Sequence, residues 1–371
     1  MTQSKRLISL DVFRGATIAA MILVNNPGSW STVYPPLLHA KWHGCTPTDL
    51  VFPFFLFIVG ISISLAYTKR KESGEATNKL IQKIVWRSLK IFLLGLFLSG
   101  FPFFNFETIR IPGVLQRISV VFLICSLLFL KTNWRTQAIL GAFLLVLYNF
   151  LMTVVPVPGI GQPNLNPETN LGAWLDNLLL SGHLWSQTKV WDPEGLLSTI
   201  PAIVTGITGL LTGKLFLDHD KSPQEKVIWM FVAGCFGIFL GMVWGIYFPI
   251  NKALWTSSYV MYTSGIGLLI FALCYWFIDI LDKRSWINPF VIYGSNAITV
   301  YVLSGVIAKS LYLIKWETSD GIITLQGWTY NTLFLSWLPP YNASLGYAIL
   351  NVLLLLGVAW ILYRKRIFIK V

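Results

Sequence analysis

Apolar runs long enough to cross a bilayer recur from Ile8 to Tyr363, and no other feature limits the architecture of this chain so strongly. About 20 residues at a rise of 1.5 Å cross the hydrocarbon core. Ten runs reach that length, approximately 8–25, 50–67, 84–104, 114–130, 136–155, 196–215, 227–248, 259–281, 290–313 and 345–363. Backbone in lipid must satisfy its own polar groups, so runs of this kind form helices. The expected fold is all-α, a polytopic integral membrane protein with about ten transmembrane helices. Only 12% of the residues are charged, against roughly a quarter in soluble domains. No polar half separates from the rest, so residues 1–371 read as one membrane domain. Asp11 and Arg14 interrupt the first run, and Asn25, Asn26 and Pro27 follow it where small cleavage-site residues belong, so the first run is a retained helix rather than a signal peptide.

The net charge of +12 is carried by short basic clusters between the runs, a membrane-topology pattern that argues against a nucleic-acid partner. Twenty Lys and Arg residues fall on the face that holds both termini. Five fall on the other: Lys41, Arg110, Lys189, Lys252 and Lys315. That bias predicts cytoplasmic termini and a multi-pass protein of the cell (inner) membrane. Cys45, Cys125, Cys235 and Cys274 stand singly, which indicates neither a disulfide framework nor a metal site. The outward segment 156–195 is rich in Pro, Gly and Asn and reads as a long extracytoplasmic loop. Gly206, Gly209 and Gly213, like Gly237, Gly241 and Gly245, have the spacing that lets helices approach closely in lipid.

Ionisable groups inside spans are costly and mark candidate sites. Asp11 and Arg14 lie three apart on one helix face, either as a structural ion pair or with Arg14 meeting an anionic ligand from the cytoplasm. The outward segment between Asn25 and Asp49 holds His39 and His43, four apart. Pro35, Pro36 and Pro47 disfavour the regular helix a metal pair would need, and a neutral imidazole there suits a general base as well as a loop hydrogen bond. Asp49 opens the second span as a helix N-terminal acid or a site group. Asp192 and Glu194 stand at the outer start of the sixth span, either as caps or as a lure for a cationic substrate. Arg117 needs a partner, with Asp49 or Glu194 available, or else a ligand phosphate or carbonyl. Asn296 either bridges helices or binds a ligand. Lys309 snorkels to the interface.

Several ordered motifs go further: SLDVFRG from Ser9, MILVNN ending at Asn26, LLHAKWHG from Leu37, TDLVFPFFLFIVG from Thr48, RIPGVLQRI from Arg110, DPEGLLSTIPAI from Asp192 and SNAITVYVLSG from Ser295. On these the chain resembles the heparan-α-glucosaminide N-acetyltransferase family of transmembrane acetyltransferases and its bacterial relatives. The resemblance implies acetyl-CoA as cytoplasmic co-substrate and an amino-sugar acceptor across the membrane, while the residues themselves, with no third ligand near His39 and His43, point to no metal. It implies that His39 is the catalytic histidine and that Asn25 assists it, orienting the ring or donating to the developing oxyanion. The position of His43 is more often Asn in animal members. The chain begins almost at the first matched motif, so the luminal N-terminal portion of animal members is expected to be missing. Residue reading and resemblance together assign His39 and Asn25 to catalysis. They give Asp49, Asp192, Glu194 and His43 to the acceptor, and Arg14, Arg117 and Asn296 to acetyl-CoA. Besides acetyl-CoA and the acceptor the expected partner is the lipid bilayer, and a homodimer stays open. The rival expectation is a secondary transporter of amino sugars or cell-wall fragments, which ten helices would serve equally well.

Overall fold

The computed structural model describes residues 7–318 and 321–369. Lys5, Arg6 and Lys370, which enter the charge bias, lie outside the described residues. Thirteen α-helices are seen among the described residues: α1 Ile8–Asn25, α2 Val51–Glu72, α3 Thr77–Gly100, α4 Val114–Lys131, α5 Trp134–Thr153, α6 Leu171–Leu180, α7 Thr199–Phe216, α8 Pro223–Gly245, α9 Ser257–Tyr275, α10 Asn288–Ser295, α11 Ala297–Leu313, α12 Leu325–Tyr330 and α13 Pro340–Arg364. A short hairpin, β1 Lys315–Thr318 with antiparallel β2 Gly321–Thr324, follows α11.

All ten expected runs are helical, but they differ in detail from the expectation. Eight described helices have the length and apolar character to cross a membrane, or nine if a bent pair counts as one span. The 24-residue α3 is long enough as well, although Lys79, Lys83 and Arg87 crowd its first half and Lys90 follows just past the middle. The run expected as one helix over 290–313 is broken. α10 and α11 meet at an angle of 84°, with Asn296 at the corner outside both helices. The segment 156–195 is not wholly loop either, because α6 lies within it, started by the Asn170 side chain accepting from the Ala173 N–H at 2.9 Å.

α2 runs through the middle of the bundle, packed by α7, α1, α4 and α9. Lipid offers no hydrophobic drive between helices, so close packing must hold them. A Cβ on Gly209 would stand 2.1 Å from the Phe57 carbonyl oxygen, and one on Gly60 would stand 2.1 Å from that of Gly206. α2 and α7 therefore touch backbone to backbone. Gly237 and Gly241 serve the α8 to α9 contact in the same way, whereas Gly245 lies against Ile250 in the following loop. Ser88 and Ser119, hydroxyls 2.8 Å apart, pin α3 to α4. The outer flanks of α5, α8 and α13 stay apolar and uncovered, with Phe143, Phe236, Phe239 and Leu354 among their exposed side chains, as a lipid-facing surface requires.

Asp279, just beyond α9, accepts from the N–H groups of Ile8 and Ser9 at 3.3 and 3.0 Å and so caps the start of α1. Gly294 of α10 lies against the Asp11 carbonyl. Asn296 donates to the Ile367 carbonyl at 3.0 Å and accepts from the Ile369 N–H at 2.9 Å. Both ends of the described chain thus meet α10 on one face of the bundle. The opposite face carries the segments between α1 and α2 and between α5 and α7.

Candidate functional site

Three 3-10 turns, Trp30–Thr32, Pro35–Leu37 and Pro47–Leu50, carry the chain from α1 to α2. No α-helix forms between Asn26 and Leu50, in keeping with three prolines that lack an N–H. The last turn aims Asp49 inward, 1% exposed, while His39 stays 48% exposed at the surface. His39 Nδ1 and Asp49 Oδ1 are 2.7 Å apart. Asp49 Oδ2 accepts from the N–H groups of Ala40 and Thr46 at 3.0 and 2.9 Å and from the Thr46 hydroxyl at 3.0 Å. A carboxylate so surrounded stays ionised and fixes the imidazole: Nδ1–H donates to Asp49, leaving Nε2 as the basic nitrogen. Tyr259 of α9 donates to the Asp49 carbonyl oxygen at 2.5 Å, which ties the turn to the bundle.

Lys252, from the loop between α8 and α9, completes this cluster. Its Nζ lies 3.1 Å from His39 Nε2 and 3.3 Å from Nδ1. Burial lowers the pKa of this ammonium, while the charges of Glu194 and Asp49 work the other way. Asn25, by contrast, is exposed at the end of α1 and shares no side-chain hydrogen bond with His39 among the described residues. The orienting bond expected of it is made by Asp49. His43 is exposed, with its Nδ1 3.4 Å from the Asn251 amide, and partial burial lowers its pKa. Among the described residues no three His, Cys, Asp or Glu side chains group as metal ligands.

Asp192 and Glu194 are buried, and both bind Arg110. Arg110 donates to Asp192 at 2.8 and 2.5 Å and to Glu194 at 2.5 Å. Burial opposes the guanidinium charge, but the two carboxylates outweigh it and raise the Arg110 pKa. The Arg117 and Lys252 charges also act on Glu194, so the two acids are compensated and neither is free to meet a cation alone. Asp176 of α6 supports this turn from behind, accepting from the N–H groups of Asp192 and Leu196 at 3.2 and 2.8 Å. A Cβ at Gly195 would fall 2.1 Å from Asp176 Oδ2, so the turn requires glycine there. Burial raises the Asp176 carboxyl to about 6, against those two backbone bonds.

Of the partners open to Arg117 from the sequence, neither Asp49 nor Glu194 makes a direct hydrogen bond with it. It is 2% exposed, donates to the Gly195 carbonyl at 3.0 Å and to the Ser198 hydroxyl, and lies over the Trp255 ring at 5.1 Å. It is also separate from the other residues expected to meet acetyl-CoA. Arg14 and Asn296 line a cavity of about 240 Å³ on the face that holds the chain ends, together with Ser62, Tyr67, Arg87 and Ile369. Arg14 makes the Asp11 pair at 3.1 Å and also donates to Ser62 at 2.8 Å.

A second cavity, about 480 Å³, opens on the opposite face and is lined by Arg110, Gln116, Trp185, Tyr301 and Lys309 among others. Lys309 is not merely snorkelling: it donates to the Leu98 and Phe101 carbonyls at 2.5 and 2.9 Å. Between the two cavities lies a neck of about 10 Å³, room for a single water at most. The neck shares Phe55, Ile118 and Ile298 with the first cavity and Val114, Leu115 and Tyr301 with the second. The three spaces therefore follow one another between the two faces, separated by the side chains they share. His39 is not in their lining. It connects to the second cavity through Lys252, whose neighbour Glu194 is held by the cavity residue Arg110.

A family model described as heparan-alpha-glucosaminide N-acetyltransferase, catalytic, matches residues 6–227, which hold His39, Asp49, Arg110, Asp192 and Glu194. This chain belongs to that family. Heparan-alpha-glucosaminide N-acetyltransferase of Homo sapiens is 30% identical over an alignment covering 99% of this chain and 60% of the relative. The Mus musculus protein of that name is also 30% identical, with 100% and 61% covered. The chain thus spans about three fifths of the length of these curated relatives. Lys252 and Asn296 lie beyond the stretch matched by the heparan-alpha-glucosaminide N-acetyltransferase model.

Proposed function

We propose that this protein is a transmembrane N-acetyltransferase. It passes the acetyl group of acetyl-CoA, taken from the cytoplasmic side, to the amine of a glucosamine-type sugar on the other side. The observation that carries this reading is the buried Asp49 holding His39 by Nδ1, which leaves Nε2 to accept a proton. Family membership supports the reaction class, and the charge bias supports the sidedness.

The cavity with Arg14 and Arg87 suits the anionic end of the donor, and the neck suits a slender pantetheine arm once its side chains part. At the far face His39 takes the proton of the acceptor amine as the nitrogen attacks the thioester carbonyl. The carbon–sulfur bond then breaks, and His39 returns the proton to the departing thiolate. The acceptor meets His39 as the neutral amine, the form whose lone pair attacks, an ammonium having first given one proton to water.

One observation favours the rival transporter reading, the bent α10 and α11 pair, since broken helices recur in transporters. Purified protein in vesicles, given labelled acetyl-CoA on one side and glucosamine on the other, separates the two. Acetylated sugar is expected from the wild type, with H39A losing at least about 100-fold of the rate. Sugar uptake without acetylated product, or an H39A variant at wild-type rate, would overturn the proposal.

A further inference from the structure

Lys252 has no role in the chemistry so far, yet it is the one side chain besides Asp49 within hydrogen-bond reach of the His39 ring among the described residues. Its placement is built rather than incidental. The loop that carries it is stitched to the His39 segment by the Gly44 N–H donating to the Ile250 carbonyl at 2.7 Å, and by the Asn251 amide beside His43. Asn251 in turn accepts from the Leu254 N–H at 2.9 Å through its side-chain oxygen and donates its own backbone N–H to Thr256 Oγ1 at 3.1 Å. Trp255, fully buried, adopts φ of +53°, a conformation non-glycine residues rarely enter and one that surrounding structure must enforce. These bonds deliver an ammonium to the basic nitrogen of the dyad.

Resting on the acetyl-transfer reading above, we infer that Lys252 is a second catalytic residue. Its ammonium donates a hydrogen bond to the thioester carbonyl oxygen as that oxygen takes on negative charge. In the structure its Nζ lies 3.1 Å from Nε2 and 3.3 Å from Nδ1 of His39, over the edge of the ring that both nitrogens share, so the lysine must turn to another acceptor before the amine can reach Nε2. The carbonyl oxygen is that acceptor. As the amine nitrogen bonds to the carbonyl carbon, the C=O π electrons move to oxygen beside Lys252 and the amine proton moves to the freed Nε2. When the C=O bond reforms, the sulfur leaves with the carbon–sulfur electron pair and takes the proton back from His39. Lys252 keeps its own protons throughout. Burial lowers the Lys252 pKa, and the Arg117 and Arg110 charges add to that, while Glu194 and Asp49 work the other way and favour the ammonium. Removing one preorganised oxyanion donor from a desolvated site costs about 100- to 1,000-fold in turnover.

The test is steady-state acetyl transfer by full-length K252M and K252R in vesicles beside the wild type. Lys252 as oxyanion donor requires K252M to lose about 100- to 1,000-fold in kcat, with KM for acetyl-CoA and the thermal midpoint held, while K252R recovers part of the rate. K252M turning over within a few-fold of wild type would overturn the inference, and so would K252M and K252R failing equally with a lowered thermal midpoint. Should K252M not assemble, K252R against K252Q decides: the charged variant must be clearly faster, and equal rates would overturn the assignment. A wild type without any transfer would instead remove the acetyltransferase reading itself.

Discussion

The His39 and Asp49 dyad depends on a division of labour between the two carboxylate oxygens, one taking the imidazole and the other three donors from Ala40 and Thr46. An amide at position 49 could not serve both. D49N would keep the turn but offer the wrong group to Nδ1–H or to Thr46, so acetyl transfer should fall by roughly 100-fold or more while protein yield holds. A D49N variant at wild-type rate would remove Asp49 from the mechanism. Asp176 makes a different claim. Its carboxyl titrates near 6 in the folded protein and near 3.8 when released, so between those values the folded state binds the extra proton. Its contribution to stability is therefore full below about pH 4, falls as pH rises through 6, and amounts to about 3 kcal/mol. Thermal midpoints of detergent-solubilised protein from pH 4 to 7 should show that fall, and D176N should lack it; parallel curves would refute the assignment. His39 as a base and Asp49 as a site group could be read from two neighbouring motifs of the sequence, whereas their pairing shows only in the fold. Lys252 could not, since only the loop's stitching to Gly44 brings it to residue 39, 213 positions away. Nor could the separation of Arg117 from Arg14, which depends on where two helices place their ends.

At the level of elements, the apolar runs located every long helix because lipid enforces one solution for backbone polar groups. Hydropathy carries no record of direction, which is why the corner at Asn296 is invisible in a run that is apolar from 290 to 313. α6 was hidden for a different reason: ten residues are too few for a span, and prolines on either side suggest loop. The glycine spacings were informative because close approach leaves no room for a side chain. G209L should prevent α2 and α7 from closing and abolish folded yield, whereas G357L, at a position with nothing within 4 Å, should be tolerated. Comparable yields of the two, measured by monodisperse elution in detergent, would mean that this contact does not hold the bundle.

For the whole molecule, the assignment of faces follows from charge alone and can be tested directly. Cysteine introduced at Glu168, in the segment before α6, should react with an impermeant thiol reagent from outside intact cells. Cysteine at Asp218, in the turn after α7, should react only after the membrane is opened. The reverse pattern would invert the direction of transfer. The Asp279 cap on α1 carries a consequence for biosynthesis. The opening N–H groups of the first helix to leave the ribosome find their carboxylate 271 residues later in the chain. The SLDVFRG segment must therefore wait, with its amides met by water or headgroups, until nine of the thirteen α-helices among the described residues have been made. Chains arrested before residue 279 should hold α1 loosely, and the earliest-made part of the protein would be among the last to reach its native seat.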